Sequence, residues 1–175
     1  DIEIDSPRID GAAPSFALLS HGDSAEMITL TDLISDSDAI VVGLFSPSSP
    51  NAERQRSDFQ AALLMMERDI KFIQIATGEG VRAVDLDHLA EAVNESWPIL
   101  MDEADSSVGK AFPSGASDAV IIIDSAGFVS EWRPGTMSAQ EILDAADNAA
   151  KGSGKNPIKL LNLIATTALL PLIIL

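Results

Sequence analysis

Ala39-Ile-Val-Val-Gly-Leu-Phe45, then Ser46-Pro-Ser-Ser-Pro-Asn51, then Ala52 to Arg68 is the stretch on which the fold turns. Residues 39–45 carry no polar side chain and no alternation, which predicts a strand covered on both faces and therefore central in a sheet. Pro47 and Pro50 lack the N–H that a ladder needs, so the strand stops in a loop. Apolar residues at 52, 59, 62, 63 and 66 then follow helical spacing. Strand, tight loop and helix N-terminus follow one another without a gap.

Outward from this unit the pattern repeats. Lys71 to Ala76 reads as a second strand, Thr77-Gly-Glu-Gly80 as a loop, and Asp85 to Asn94 as a helix with Leu86, Leu89, Ala90 and Val93 on one face. Trp97 to Met101 is short and extended, and Asp105 to Phe112 is a helix ended by Pro113. Ala119 to Ile123 is a buried strand, Asp124-Ser-Ala-Gly127 a hairpin turn, and Phe128 to Arg133 its antiparallel return. Ser138-Ala-Gln-Glu141 has the spacing of a capping box, opening a last helix that runs to about Ala150 with Ile142, Leu143 and Ala146 inward. Upstream, Ser15 to Leu19 forms a strand, His21-Gly-Asp23 a turn and Met27 to Leu30 an extended return. Thr31 to Ile34 makes one helical turn with Thr29 or Thr31 near its cap.

The chain has 175 residues, 46% of them hydrophobic, enough for one domain with a sizeable core. Residues 1–10 lack an apolar period and form an N-terminal extension; 11–150 form the domain, 151–157 a Gly/Ser/Asn/Pro linker, and 158–175 an apolar segment. The formal charge of −16 repels a phosphate backbone, so nucleic acid is excluded as a partner. All 27 carboxylates precede residue 151, while Lys151, Lys155 and Lys159 mark the boundary beyond them. Leu160 to Leu175 carries no charge, and as a helix its 16 residues would reach about 24 Å, short of a hydrocarbon core of about 30 Å. Lys159 can snorkel to extend it, and a transmembrane or membrane-anchoring helix is the expectation. The lysines before it place the domain in the cytoplasm, whereas a signal cleaved ahead of Asp1 would place it outside, so the side of the membrane stays open.

The motif order carries a resemblance. Gly11-Ala-Ala-Pro-Ser-Phe16, Ile28-Thr-Leu-Thr-Asp-Leu33, Ile40 to Phe45, Trp97-Pro-Ile-Leu-Met-Asp102 and Val120-Ile-Ile-Ile-Asp-Ser-Ala-Gly127 together resemble the redoxin group, which joins peroxiredoxins and membrane-tethered thiol-disulfide oxidoreductases. The resemblance spans 11–150 and implies a thioredoxin-like α/β fold, a central mixed sheet flanked by helices, with an active site at the start of the first long helix. In that group the site is a Cys-x-x-Cys or a lone peroxidatic Cys, where the helix N-terminus favours the attacking thiolate. By the resemblance, Ser49 falls on the first cysteine, Ala52 on the second, with Pro50 and Asn51 between them. Asp118 stands where the relatives carry a cis-proline or a peroxide-binding arginine. The chain contains no cysteine. A serine hydroxyl forms no disulfide, so thiol exchange cannot run on this polypeptide.

Other chemistry is weaker. Ser49 as a hydrolytic nucleophile needs a base, and the two histidines, His21 and His88, share no signature with it; a helix-capping role suits Ser49 better. His21, His88, Asp85 and Asp87 could ligate a metal, but two carboxylates within one surface turn read better as a solvated helix start. Asp102-Glu-Ala-Asp105 lacks the loop glycine and terminal glutamate of a calcium hand and reads as charge at a helix start. Gly78-x-Gly80 is too short for a nucleotide loop, and Trp97 and Trp132 read as packing residues. The expectation is a binding or scaffold domain without cofactor or metal, held at a membrane and docking a protein partner through the old active-site loop or a sheet edge. The alternatives are an antioxidant or disulfide-exchange enzyme whose cysteines were lost or mutated, and a folded spacer in a larger membrane protein.

Overall fold

The computed structural model describes residues 11–94 and 96–151. In chain order these form β1 (Ala17–His21), β2 (Met27–Thr29), α1 (Leu30–Ser35), β3 (Ala39–Phe45), α2 (Asn51–Met65), β4 (Ile70–Ala76), α3 (Ala83–Ala92), β5 (Ile99–Met101), α4 (Ser107–Ala111), β6 (Ala119–Asp124), β7 (Val129–Pro134) and α5 (Ala139–Lys151). The strands make one mixed seven-stranded sheet in the order β2-β1-β5-β4-β3-β6-β7. The all-apolar strand β3 lies inside it, parallel to β4 and antiparallel to β6.

Residues along the central strands alternate between two apolar layers, as the pleat requires. Val41, Phe45, Phe72, Val120 and Ile122 meet α2, α3 and α5 on one side; Ile40, Val42, Leu44, Ile121 and Ile123 meet α1, α4 and Phe16 on the other. Both faces of β3 are therefore dry, which is why its sequence shows no alternation. The β6–β7 hairpin follows its expected register, with one bulge between Ile122 and Ile123. The capping box at α5 also forms: Ser138 N–H donates to Glu141 Oε2 at 2.9 Å and Glu141 N–H to Ser138 Oγ at 3.3 Å.

Several boundaries move for tertiary reasons. The first strand sits two residues later than its apolar pattern predicts, because Ala12 and Ala13 bond to Phe128 and Gly127 while Ser20 and His21 pair with β5. Helix α2 ends at Met65 rather than Arg68, since Met66 is extended and Arg68 turns to pair with Asp147 of α5. The fourth helix shrinks to 107–111, its start fixed by Asp102, whose carboxylate accepts the N–H groups of Val108 at 3.2 Å and Gly109 at 2.7 Å. The expected C-terminal apolar helix lies outside the described residues. No helix among the described residues is long and apolar enough to cross a membrane.

Candidate functional site

The loop at the end of β3 delivers its residues to the start of α2. Pro50, with φ −61, is already in the helical region, and the helix proper begins at Asn51. Ser49 therefore stands just ahead of the first turn. Its N–H donates to Ser46 O at 2.9 Å, its carbonyl accepts Ala52 N–H at 3.1 Å, and its hydroxyl oxygen accepts Asn51 N–H at 3.1 Å. Capping by Ser49 thus exists, shifted one residue from the ordinary N-cap position, which Pro50 holds. Ala52 is buried against the sheet.

Asp118 comes from the residue before β6, 69 positions away from Ser49 in sequence, and closes this loop. Its Oδ1 accepts Ser46 N–H at 2.8 Å, and its Oδ2 accepts the Ser49 hydroxyl through a short contact and Asn51 Nδ2 at 3.2 Å. The carbonyl of Asp118 in turn accepts Gly135 N–H at 2.8 Å, fixing it to the end of β7. A carboxylate at a helix N-terminus gains from the partial positive charge there. The donors that could greet an exogenous anion at this loop are already directed at one from the chain itself. Ser49 has a single proton, and Asp118 receives it. Among the described residues no histidine is a hydrogen-bond partner of Ser49.

A buried amide relay holds the frame. Gln55, one turn into α2, donates to Leu44 O and to Ala119 O, each at 3.2 Å. Gln74 of β4 donates to Gln55 Oε1 at 2.7 Å, and Trp97 Nε1 donates to Gln74 Oε1 at 2.9 Å. Both glutamines are fully buried and satisfied. Gly43 makes room for them, since a Cβ at that position would meet Gln55 Oε1 at 2.4 Å. The strand's only glycine is a slot for an amide, and the amide ties α2 beside Asp118. The sequence did carry a signal: Gln55 lies three residues after Ala52 and four before Phe59, on the apolar face of the helix.

The remaining candidates disperse. His21 Nδ1 pairs with Asp87 Oδ1 at 3.1 Å, Asp85 with Arg82 at 2.7 Å, and His88 with Glu91 at 3.8 Å. Among the described residues no three His, Asp or Glu side chains gather as a metal site would need. Gly78 and Gly80 both adopt positive φ in a turn, with Gly78 N–H donating to Ser106 Oγ at 3.1 Å. Trp97 packs edge-on against Phe59 with centroids 5.7 Å apart, and Trp132 lies partly buried on the sheet face that α1 covers.

A mixed sheet with helices on both faces, and a loop and helix N-terminus at the end of its central strand, define a thioredoxin-like fold. No family model and no curated protein matches this sequence. Solved structures do. An uncharacterized conserved protein from Geobacillus kaustophilus is similar at TM-score 0.66 and 21% identity, over 85% of this chain and 86% of that one. A thiol:disulfide interchange protein of the thioredoxin family from Chlorobium tepidum is similar at TM-score 0.63 and 18% identity, over 81% and 97% of the two chains. The thioredoxin domain of a thiol-disulfide oxidoreductase from Bacteroides vulgatus is similar at TM-score 0.63 and 10% identity, over 80% and 96%. At these identities the likeness is one of fold.

Proposed function

We propose that this chain is a redox-inactive thioredoxin-like binding or scaffold domain, attached to a membrane through residues 158–175, in which the position of the thiol site has become a structural latch. The observation that carries the reading is the Asp118 carboxylate bound to Ser46 N–H, the Ser49 hydroxyl and Asn51 Nδ2 at the start of α2. A working thiol site leaves that helix start open to a thiolate and to the partner's sulfur. Here the chain's own carboxylate occupies it, and no thiol is available to exchange with it. Simple loss of two cysteines leaves an empty socket; the carboxylate fills it, which fits a domain kept for its surface.

That surface has apolar footholds. Leu19 and Met27 lie opposite each other across β1 and β2, and both are exposed at the edge of the sheet. An extended partner segment adds to such an edge through main-chain hydrogen bonds. The decisive experiment is an insulin-reduction and peroxide-consumption assay on the purified full chain in mild detergent. Rates equal to a heat-killed control are expected. Catalysed insulin precipitation or peroxide loss above that control overturns the reading in favour of an antioxidant or disulfide-exchange enzyme.

A further inference from the structure

Among the described residues, β2 and β7 are the two edges of the sheet, and they are built differently. Strand β7 is bulged opposite Ile122 and Ile123, holds Arg133 in ion pairs with Glu131 and Glu141, and ends in Pro134. These are the devices that keep another strand from pairing with an edge. Strand β2, Met27-Ile28-Thr29, has none of them: no proline, no charge and no bulge in its register with β1.

The hydrogen-bond pattern fixes which groups of β2 face outward. Ser20 N–H donates to Glu26 O at 2.8 Å and Leu30 N–H to Phe16 O at 3.3 Å, and both pairs lie in register with Leu18 opposite Ile28. Antiparallel pairs alternate between bonded and non-bonded, so Leu18–Ile28 is bonded while Leu19–Met27 and Ala17–Thr29 are not. The N–H and C=O of Met27 therefore point off the sheet. So does the N–H of Thr29, whose backbone is extended at φ −113 and ψ 149. Side chains stand closest in a non-bonded pair, and here they are Leu19 and Met27, 44% and 59% exposed. An apolar shelf beside outward main-chain groups is what an added strand uses, the main chain for affinity and alternate side chains for specificity.

Charge selects the segment. From residue 11 to residue 53 the chain has no Lys or Arg. The β1–β2 hairpin and the helix after it carry exposed acids at Asp23, Glu26, Asp32 and Asp36. A second copy of this chain would set the same acids against them, whereas a segment bearing Lys or Arg is attracted.

We propose, resting on the binding-domain reading, that β2 docks an extended segment of a partner protein in which apolar residues alternate with Lys or Arg. Its main chain pairs with Met27 and Thr29, its apolar side chains cover Leu19 and Met27, and its cations lie within reach of the acidic hairpin.

The test is a 15N-amide NMR titration of the full chain in mild nonionic detergent with the peptide acetyl-Lys-Val-Lys-Val-Lys-Val-Lys-amide. The expected result is saturable shifts centred on the Met27 and Thr29 amides, slower exchange of both with water, and Kd on the order of 0.1 mM in low salt. Binding should weaken about tenfold at about 0.3 M salt. The acidic peptide of the same alternation, with Glu in place of Lys, should leave both amides unmoved. Met27→Lys changes an exposed side chain outside the bonded pairs of the hairpin, so it should keep the fold and weaken binding at least about tenfold. No saturable shift with the basic peptide, or equal shifts with the acidic one, overturns the proposal without reliance on the variant. Shifts at Met27 that follow protein concentration without peptide, as a second copy on this edge would give, overturn it too. An insulin-reduction assay on the same sample separates the two readings: catalysis overturns the binding domain and the docking edge together, whereas an inert sample that ignores the peptide overturns the edge alone.

Discussion

Replacing Ser49 by Cys, in a chain with no other thiol, turns the latch into a measurable electrostatic quantity. The Ser49 hydroxyl lies in hydrogen-bond contact with Asp118 Oδ2, so a thiolate introduced at position 49 would face a carboxylate oxygen at about 4 Å, where two like charges repel by about 4 kcal/mol at an effective dielectric of 20. Both positions are half-buried, and screening by water cuts this to about 2 kcal/mol. The start of α2 offsets about 0.5–1 kcal/mol of that by stabilising the thiolate. The net result places the thiol about one pKa unit above its ordinary value of about 8.5. Changing Asp118 to Ala in the same background removes the repulsion and leaves the helix term, so the thiolate fraction near neutral pH should rise about 30-fold, the equivalent of 2 kcal/mol. The assay is the rate of iodoacetamide alkylation against pH for S49C and for S49C/D118A. Alkylation of S49C at pH 7.5 as fast as the double variant would refute the reasoning, because the carboxylate could not then be beside position 49.

Gly43→Ala should cost at least about 2 kcal/mol in denaturant unfolding, since the added methyl overlaps Gln55 Oε1 at 2.4 Å; combined with Gln55→Ala, which vacates the space, the total should fall clearly below the sum of the two single costs. Asp102→Ala strips the acceptor from Val108 and Gly109 N–H and should lower stability by about 1–2 kcal/mol by the same measurement, with Asp102→Asn recovering part of it. Ser138→Ala should cost about 1 kcal/mol in thermal or chemical unfolding through loss of the α5 cap. The Ser138 N–H and hydroxyl, with Arg133, hold the Glu141 carboxyl below its usual range. Its contribution is therefore present above the unfolded carboxylate pKa of about 4.3 and is lost as pH falls below it, so Glu141→Gln should flatten the acid limb of a stability profile. Asp58 runs the other way: burial, partly countered by Arg54, pushes its carboxyl up, so its contribution is present in acid and lost as pH rises. Asp58→Asn should remove that loss and raise stability at pH 7 relative to pH 4.

The features legible in sequence were those whose cause is local. Ala39–Phe45 announces a doubly buried strand because burial on both faces erases the polar alternation, and Ser138 to Glu141 announces a helix start because the two partners lie three residues apart. The Asp124–Gly127 turn declares its hairpin in the same way, with Gly127 at φ 87 where a side chain would be strained. The latch was half legible. The loop at 46–52 and the odd residue at 118 stand out against the redoxin resemblance, yet nothing in the order of residues says that Asp118 reaches Ser46, Ser49 and Asn51. That pairing depends on β6 lying antiparallel beside β3, a long-range fact. Gln55 shows only as a polar residue on the apolar face of α2, and its pairing with Gln74 is hidden for a related reason: a buried amide looks like a surface one until the strand glycine opposite it is known to leave a gap. His21 and Asp87 meet only because α3 crosses beneath the first hairpin.

The account rests on a carboxylate bound at the start of α2, and through-hydrogen-bond NMR reads that contact directly. In the uniformly 13C,15N-labelled full chain, a long-range correlation should link the Ser46 amide nitrogen to the Asp118 side-chain carboxyl carbon across the 2.8 Å hydrogen bond, and it should vanish in Asp118→Ala. A Ser46 amide that shows no such coupling, exchanges freely with water and keeps its shift when Asp118 is replaced would contradict the latch.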